Sequence, residues 1–253
     1  MPFHLKQRVL DAALMSAILY SCETWITNNM HDLVTHYMSA VKLLLGVRHT
    51  TTNILCLIEL GYPELGPLIM KRQVTFISKF VRQSTGDEPL SIVLAMCAEH
   101  NTPGHRFLQS RMNYQGDPVL QNIVSLKEQC NQRRETSTRF DTYLDINPQL
   151  DVHSVYRTTV IYTPDYIRVA FTRFRLSSHR LRIETGRWRR VKREDRLCVC
   201  TQGVQDEAHV IFRCPNTLGI RQTYNICSTT TWTDLFRMNN ICQIIYEILK
   251  TFQ

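Results

Sequence analysis

The stretch NNMHDLVTHYMSAVKLLLG, residues 28–46, decides the fold class. Leu33, Val34, Tyr37, Met38, Val41, Leu44 and Leu45 return at the period of a helix with one apolar face. Asn28 or Asn29 can cap its start, and Gly46 supplies its stop. Outward from this segment the same pattern repeats. Upstream, Lys6 and Arg8 precede the apolar run Val9–Cys22, which mimics a signal peptide. Asp11 interrupts the run, it is too short to span a bilayer, and no convincing cleavage site follows, so it reads as a buried helix. Downstream, Ile54–Leu60 closes at Gly61, and a longer amphipathic stretch runs from Leu65 to Arg82. Asp87 then opens a helix containing Pro89, Ile92, Val93, Leu94 and Met96. The expected class is mainly α.

Three regions are expected. Residues 1–112 form a helical domain. Residues 113–163 form a connector with one helix, started by Asp117-Pro118 and running through Val119, Ile123, Val124 and Leu126 toward Arg134. Residues 164–253 hold an arginine-rich segment, a cysteine–histidine cluster and C-terminal helices. Thr163-Pro164-Asp165 repeats the signal of a capping residue followed by Pro. The 253 residues are 43% hydrophobic, with nine Gly and nine Pro, which excludes a fibrous or low-complexity chain. Nine cysteines, an odd and uneven set, fit free thiols in a reducing compartment better than a disulfide framework. An intracellular location, cytoplasmic or nuclear, is expected, with no membrane partner and no small-molecule substrate.

Charge is concentrated in RVAFTRFRLSSHRLRIETGRWRRVKREDR, residues 168–196. Eleven cations stand there against Glu184, Glu194 and Asp195, so this window carries the whole +8 of the chain. Ten of the eleven are Arg, the side chain suited to bidentate phosphate contact and to stacking. The plain alternative is a solvated helix face. Ile167, Ala170, Phe171 and Phe174 follow a buried helical stripe, which leaves Trp188 as the better base-stacking candidate. The residues expected to contact nucleic acid, RNA or DNA, are Arg168, Arg175, Arg180, Arg182, Arg187, Trp188, Arg189, Arg190, Lys192 and Arg193.

Directly after this segment comes LCVCTQGVQDEAHVIFRCP, with the spacing Cys198-x-Cys200-x8-His209-x4-Cys214. Three thiolates and one imidazole suit a tetrahedral structural Zn²⁺, with no open position for catalysis. Cys198 and Cys200, two apart on an extended segment, can face one ion, Gly203 permits the return, and His209 with Cys214 can come from a short helix. Ordinary buried thiols with a surface histidine are the alternative.

These residues resemble the region that follows the polymerase in LINE-type (non-LTR) retrotransposon reverse transcriptases, where an arginine-rich stretch leads into a Cys-Cys-His-Cys knuckle. AALMSAILYSCETW and KLLLGVRHTTTNILCLIELGYPELGPLIMKRQ are similar to the thumb and linker behind the palm of those polyproteins. The resemblance covers residues 5–84 and 166–218, with a weaker middle. It implies primer–template contact by the helical front and RNA or DNA binding by the knuckle, with Cys198, Cys200, His209 and Cys214 as ligands. The family usually has two residues between the first two cysteines; here only Val199 separates them. Reverse transcription needs an aromatic-x-Asp-Asp strand holding divalent metal, and no Asp-Asp dipeptide occurs in the chain. The resemblance therefore implies a nucleic-acid-binding piece without catalytic residues, partnered by RNA, DNA and the reverse transcriptase domains upstream. A host-recruited structural or protein-interaction module is the competing expectation.

Overall fold

A computed structural model describes residues 1–25, 29–83, 92, 95–96, 98–157, 163–227 and 229–252. It is mainly α, as the periodicity requires. Among the described residues there is no strand beyond an antiparallel bridge between Leu197 and Val204. Helix α1 (Phe3–Val9) continues through a π-helical stretch, Leu10–Met15, into a last α turn, Ser16–Ile18. It is followed by α2 (His31–Leu45), α3 (Asn53–Leu60), α4 (Leu65–Gln83) and α5 (Pro103–Met112). The rest are α6 (Pro118–Gln132), α7 (Thr138–Ile146), α8 (Ser154–Arg157), α9 (Asp165–Arg175), α10 (Arg182–Trp188), α11 (Leu218–Thr223), α12 (Trp232–Arg237) and α13 (Ile241–Lys250). No helix among the described residues is long and apolar enough to cross a membrane.

The boundaries follow local chemistry. The Asn29 side chain accepts the His31 N–H at 3.4 Å as α2 begins. At its end Gly46 takes a left-handed φ of 74° while the Val47 N–H reaches back to the Lys42 carbonyl at 3.1 Å, satisfying a carbonyl that has no partner within the helix. Gly61 ends α3 in the same way. Asp117 caps α6 through the Val119 N–H at 2.9 Å, as Asp117-Pro118 predicts. Two expectations change, and a third falls mostly outside the described residues. Pro164 itself occupies the cap position of α9, with no side-chain cap from Thr163. The helix expected from Asp87 lies mostly outside the described residues; Ile92 and Met96 are exposed. The run Val9–Cys22 is not a buried helix: Val9, Ala12, Ala13 and Ala17 face solvent, and only Ile18, Leu19 and Cys22 are buried. A π stretch adds a residue to the turn, so an apolar stripe drawn at 3.6 residues no longer lands on one face.

The core joins all three sequence regions. Helix α9 packs along α13, α3 along α6 and α2, α4 along α5 and α6, and α7 along α12. Phe171 and Phe174, expected as core, are fully buried with Ile241, Ile244, Ile245 and Ile248. Residues 136–157, read from sequence as linking chain, contribute Phe140, Tyr143, Leu144, Ile146, Leu150 and Tyr156 to the same cluster.

At Gly46 the end of α2 also comes close to Val169 of α9. A Cβ there would stand 2.6 Å from a methyl of Val169. Gly46→Ala combines a left-handed alanine with that clash, so about 2 kcal/mol or more of destabilisation is expected. Thermal unfolding should then begin about 4–8 °C lower; an unchanged midpoint would show that this approach is slack.

Candidate metal centre and basic surface

The knuckle is built by two turns meeting. The Cys198 N–H donates to the Gly203 carbonyl at 2.7 Å, and the Thr201 N–H closes a turn onto the Cys198 carbonyl at 2.9 Å. This turn, with Thr201 at φ 63°, aims Cys198 and Cys200 at one point, replacing the extended segment expected from sequence. The second turn is the π-helical His209–Arg213, whose first N–H is capped by Asp206 Oδ1 at 2.8 Å. Gly203 lies beside the imidazole, where even a Cβ would be in ordinary contact, 3.5 Å from His209 Nδ1.

The four donor atoms converge. Cys198 Sγ lies 3.7 Å from Cys214 Sγ, and Cys200 Sγ lies 3.2 Å from His209 Nε2. All four atoms are within 4.8 Å of one another. A tetrahedral ion held by thiolate and imidazole has ligand–ligand edges of roughly 3.5–3.8 Å. The site can therefore hold a metal ion once its longest donor–donor separation closes by about 1 Å. Burial pushes the Cys214 thiol up to about 12 and lowers the His209 imidazole, which favours the neutral, ligating form of the ring. Around this set, Gln205 Nε2 approaches Cys198 Sγ at 3.7 Å, and Arg193 pairs with Asp206 at 3.4 Å. Behind it, His179 pairs with the buried Glu207 at 2.8 Å. Burial opposes ionisation of Glu207, yet His179 and the Ser177 hydroxyl hold its carboxyl below the usual range.

The arginine-rich segment divides into two populations. Arg168 and Arg175 do not reach the surface. Arg168 donates to the Leu44 and Leu45 carbonyls at 3.3 Å and to Asp165 at 2.9 Å, with its guanidinium over the Phe3 ring. It serves as a C-terminal cap for α2 from another part of the chain, a position that favours a cation. Arg175 is 2% exposed and forms a bidentate pair, at 2.6 and 2.9 Å, with the fully buried Glu59. Tyr143 and Tyr156 donate to the same carboxylate at 2.7 and 2.8 Å. Burial works against the charge on Arg175, and Glu59 with these tyrosines more than restores it. Neither arginine is available to nucleic acid; both were placed on the surface because periodicity cannot distinguish a solvated cation from a buried, paired one.

The remaining cations stay outside. Arg187 is half-buried against Glu184 at 2.7 Å and Thr138 at 2.7 Å. Arg182 is exposed, with one bond to the Leu197 carbonyl at 2.7 Å. Arg180, Arg189, Arg190, Lys192 and Arg193 are exposed, as is Trp188. Among the described residues no carboxylate lies within ion-pair distance of Arg180, Arg182, Arg189, Arg190 or Lys192.

Sequence reasoning missed three partners. Arg48, from the loop after α2, lays its guanidinium 3.6 Å from the Trp188 ring centroid. Arg139 binds the buried Glu184 at 2.6 Å. Glu59 neutralises Arg175; its signal was a single carboxylate within the apolar run ILCLIEL, which needs a buried cation. Comparison with protein-family models, curated proteins and solved structures found no match.

Proposed function

We propose that this chain is a nucleic-acid-binding region of a LINE-type reverse transcriptase, in which a structural zinc knuckle braces an arginine-rich surface and no catalytic residue is present. The observation that carries this reading is the convergence of Cys198, Cys200, His209 and Cys214 within 4.8 Å, shortly after the largely exposed Trp188–Arg193 stretch. Zn²⁺ is the ion that a Cys₃His set at this separation suits, and with all four positions filled by protein it supplies rigidity rather than chemistry. Arg193 couples the two features, since its partner Asp206 also caps the turn that carries His209. The arginines supply a sequence-independent phosphate affinity that weakens as salt rises.

The test is fluorescence anisotropy of labelled RNA and DNA across a salt series. The variant carries Arg189→Gln, Arg190→Asn and Lys192→Gln, with Asn chosen because Arg190 has φ 56°. The slope of log affinity against log salt should fall by about 2–3, because up to three phosphate contacts are removed. Binding of equal strength and slope by variant and wild type would remove the patch from this reading. A stable protein partner for a chain that binds no nucleic acid would favour the interaction-module alternative.

A further inference from the structure

Two segments that are far apart in sequence, one carrying Arg48 and the other Arg173 and Arg180, meet near Trp188, against which Arg48 packs. The junction is Ser178. Its hydroxyl accepts from the Arg48 N–H at 3.2 Å, from Arg48 Nε at 3.4 Å and from the Thr51 hydroxyl at 3.1 Å, while its own N–H donates to the Arg173 carbonyl at 2.7 Å. Arg173 Nε in turn donates to the Gly46 carbonyl at 2.7 Å. The loop after α2 is thereby stitched to the turn after α9, and Arg180 stands two residues beyond Ser178. Among the described residues no carboxylate is within ion-pair distance of Arg48, Arg173 or Arg180. The nearby Glu184 is already held by Arg139 and Arg187. Burial lowers the proton affinity of Arg48; Glu184 offsets part of this, and Arg139, Arg173 and Arg180 lower it further, while burial and Arg180 lower that of Arg173. Like charges crowded in this way destabilise the fold unless an anion sits among them.

Trp188 completes the site. Arg48 covers one face of the indole at 3.6 Å, and the residue is still 46% exposed, which leaves much of its surface beyond that guanidinium open to solvent. An indole clamped on one side by a guanidinium is a platform that lacks only the second layer.

We propose that Arg48, Arg173, Arg180 and Trp188 form a pocket for single-stranded nucleic acid, with a backbone phosphate among the guanidinium groups and an unpaired base against the exposed surface of the indole. This rests on the nucleic-acid reading above and adds two things to it: a strand class, and a contact supplied by Arg48 from the N-terminal half. A paired base is already stacked on its neighbours and presents no free face to the ring, so duplex gains nothing from Trp188.

The experiment measures affinities of the full chain for a labelled single-stranded DNA, the same sequence as RNA, and the corresponding DNA duplex, at low salt. Trp188→Ala should weaken single-strand binding by about 5- to 150-fold, Trp188→Phe should restore most of the loss, and duplex binding should change less than twofold. Arg180→Gln, whose side chain holds no bond in the structure, and Arg48→Gln should each lower the single-strand salt slope by about 0.7; thermal unfolding of Arg48→Gln checks that the loop stays in place. Single-strand affinity unchanged in Trp188→Ala, while the Arg189/Arg190/Lys192 variant still weakens it, would overturn the pocket and leave the basic patch standing. Equal losses on single strand and duplex would overturn the stacked base. A wild-type chain that binds none of the three nucleic acids would overturn both proposals.

Discussion

Replacing Cys214 by Ser should reduce bound zinc from one ion per chain to none at equilibrium with a chelator, whereas the unaltered chain keeps its ion. Binding free energies for structural zinc sites run to about 10–16 kcal/mol near neutral pH, so loss of one of four ligands costs orders of magnitude in affinity. The structural consequence is local. In the segment from Arg196 to Thr217, the half that carries Cys198 and Cys200 is held chiefly by the Leu197–Val204 bridge and the turn bonds of Cys198, Thr201 and Gln205, whereas the half that carries His209 docks Val210 and Ile211 into the core. Helices α2, α3, α9 and α13 supply most of the apolar core, to which this segment adds Val210 and Ile211. Helical circular dichroism should therefore change little, while amide-exchange protection at Cys198, Thr201 and Gln205 collapses. Acid should act in the same direction, because ligation requires thiolates and a neutral imidazole and each ligand binds a proton in place of the ion as pH falls. Cobalt substitution, read by thiolate charge-transfer absorption, gives a second check. A wild-type chain that takes up no zinc or cobalt in its reduced state would end the knuckle interpretation.

The second large effect concerns the pair at the centre of the core. Arg175→Met removes the cation from a carboxylate that is fully buried, leaving Glu59 with only the Tyr143 and Tyr156 hydroxyls. Breaking one partner of a buried pair costs about 3–5 kcal/mol, which corresponds to a fall of about 6–20 °C in the unfolding midpoint. Adding Glu59→Gln should recover most of that loss: the amide oxygen can accept from Tyr143, the amide N–H can donate to the Tyr156 oxygen, whose hydroxyl also meets Thr172 Oγ1 at 2.8 Å, and no buried charge remains. The double variant, compared with each single change, gives the coupling directly. Additive losses would mean that Glu59 and Arg175 stabilise the protein separately and not as a pair.

The sequence was most readable where local chemistry decides structure. The helical period and Gly46 defined α2, Asp117-Pro118 started α6, and the spacing of Cys198, Cys200, His209 and Cys214 located the cluster. It was least readable where tertiary partners decide. Arg168, Arg175 and Arg180 look alike in a string, yet the first caps α2, the second neutralises Glu59 and only the third meets solvent. The contribution of residues 136–157 was hidden because short helices such as Thr138–Ile146 bury aromatic residues without a long periodic run. Arg48 lay outside every basic run, so nothing local tied it to Trp188, 140 residues away.

Arg168 grips the end of α2, and Arg175 has its counter-ion on α3. A polypeptide starting at Pro164 would carry both guanidinium groups and the bare side of α9 without the surfaces that hold them. Dissecting the protein into a basic tail and a helical front would thus strand two charges and strip an oily seam, and neither half would be expected to behave as a well-mannered soluble piece. Transplanting the nucleic-acid-facing arginines into another protein would need the loop at Arg48 and the carboxylate at Glu59 to travel with them.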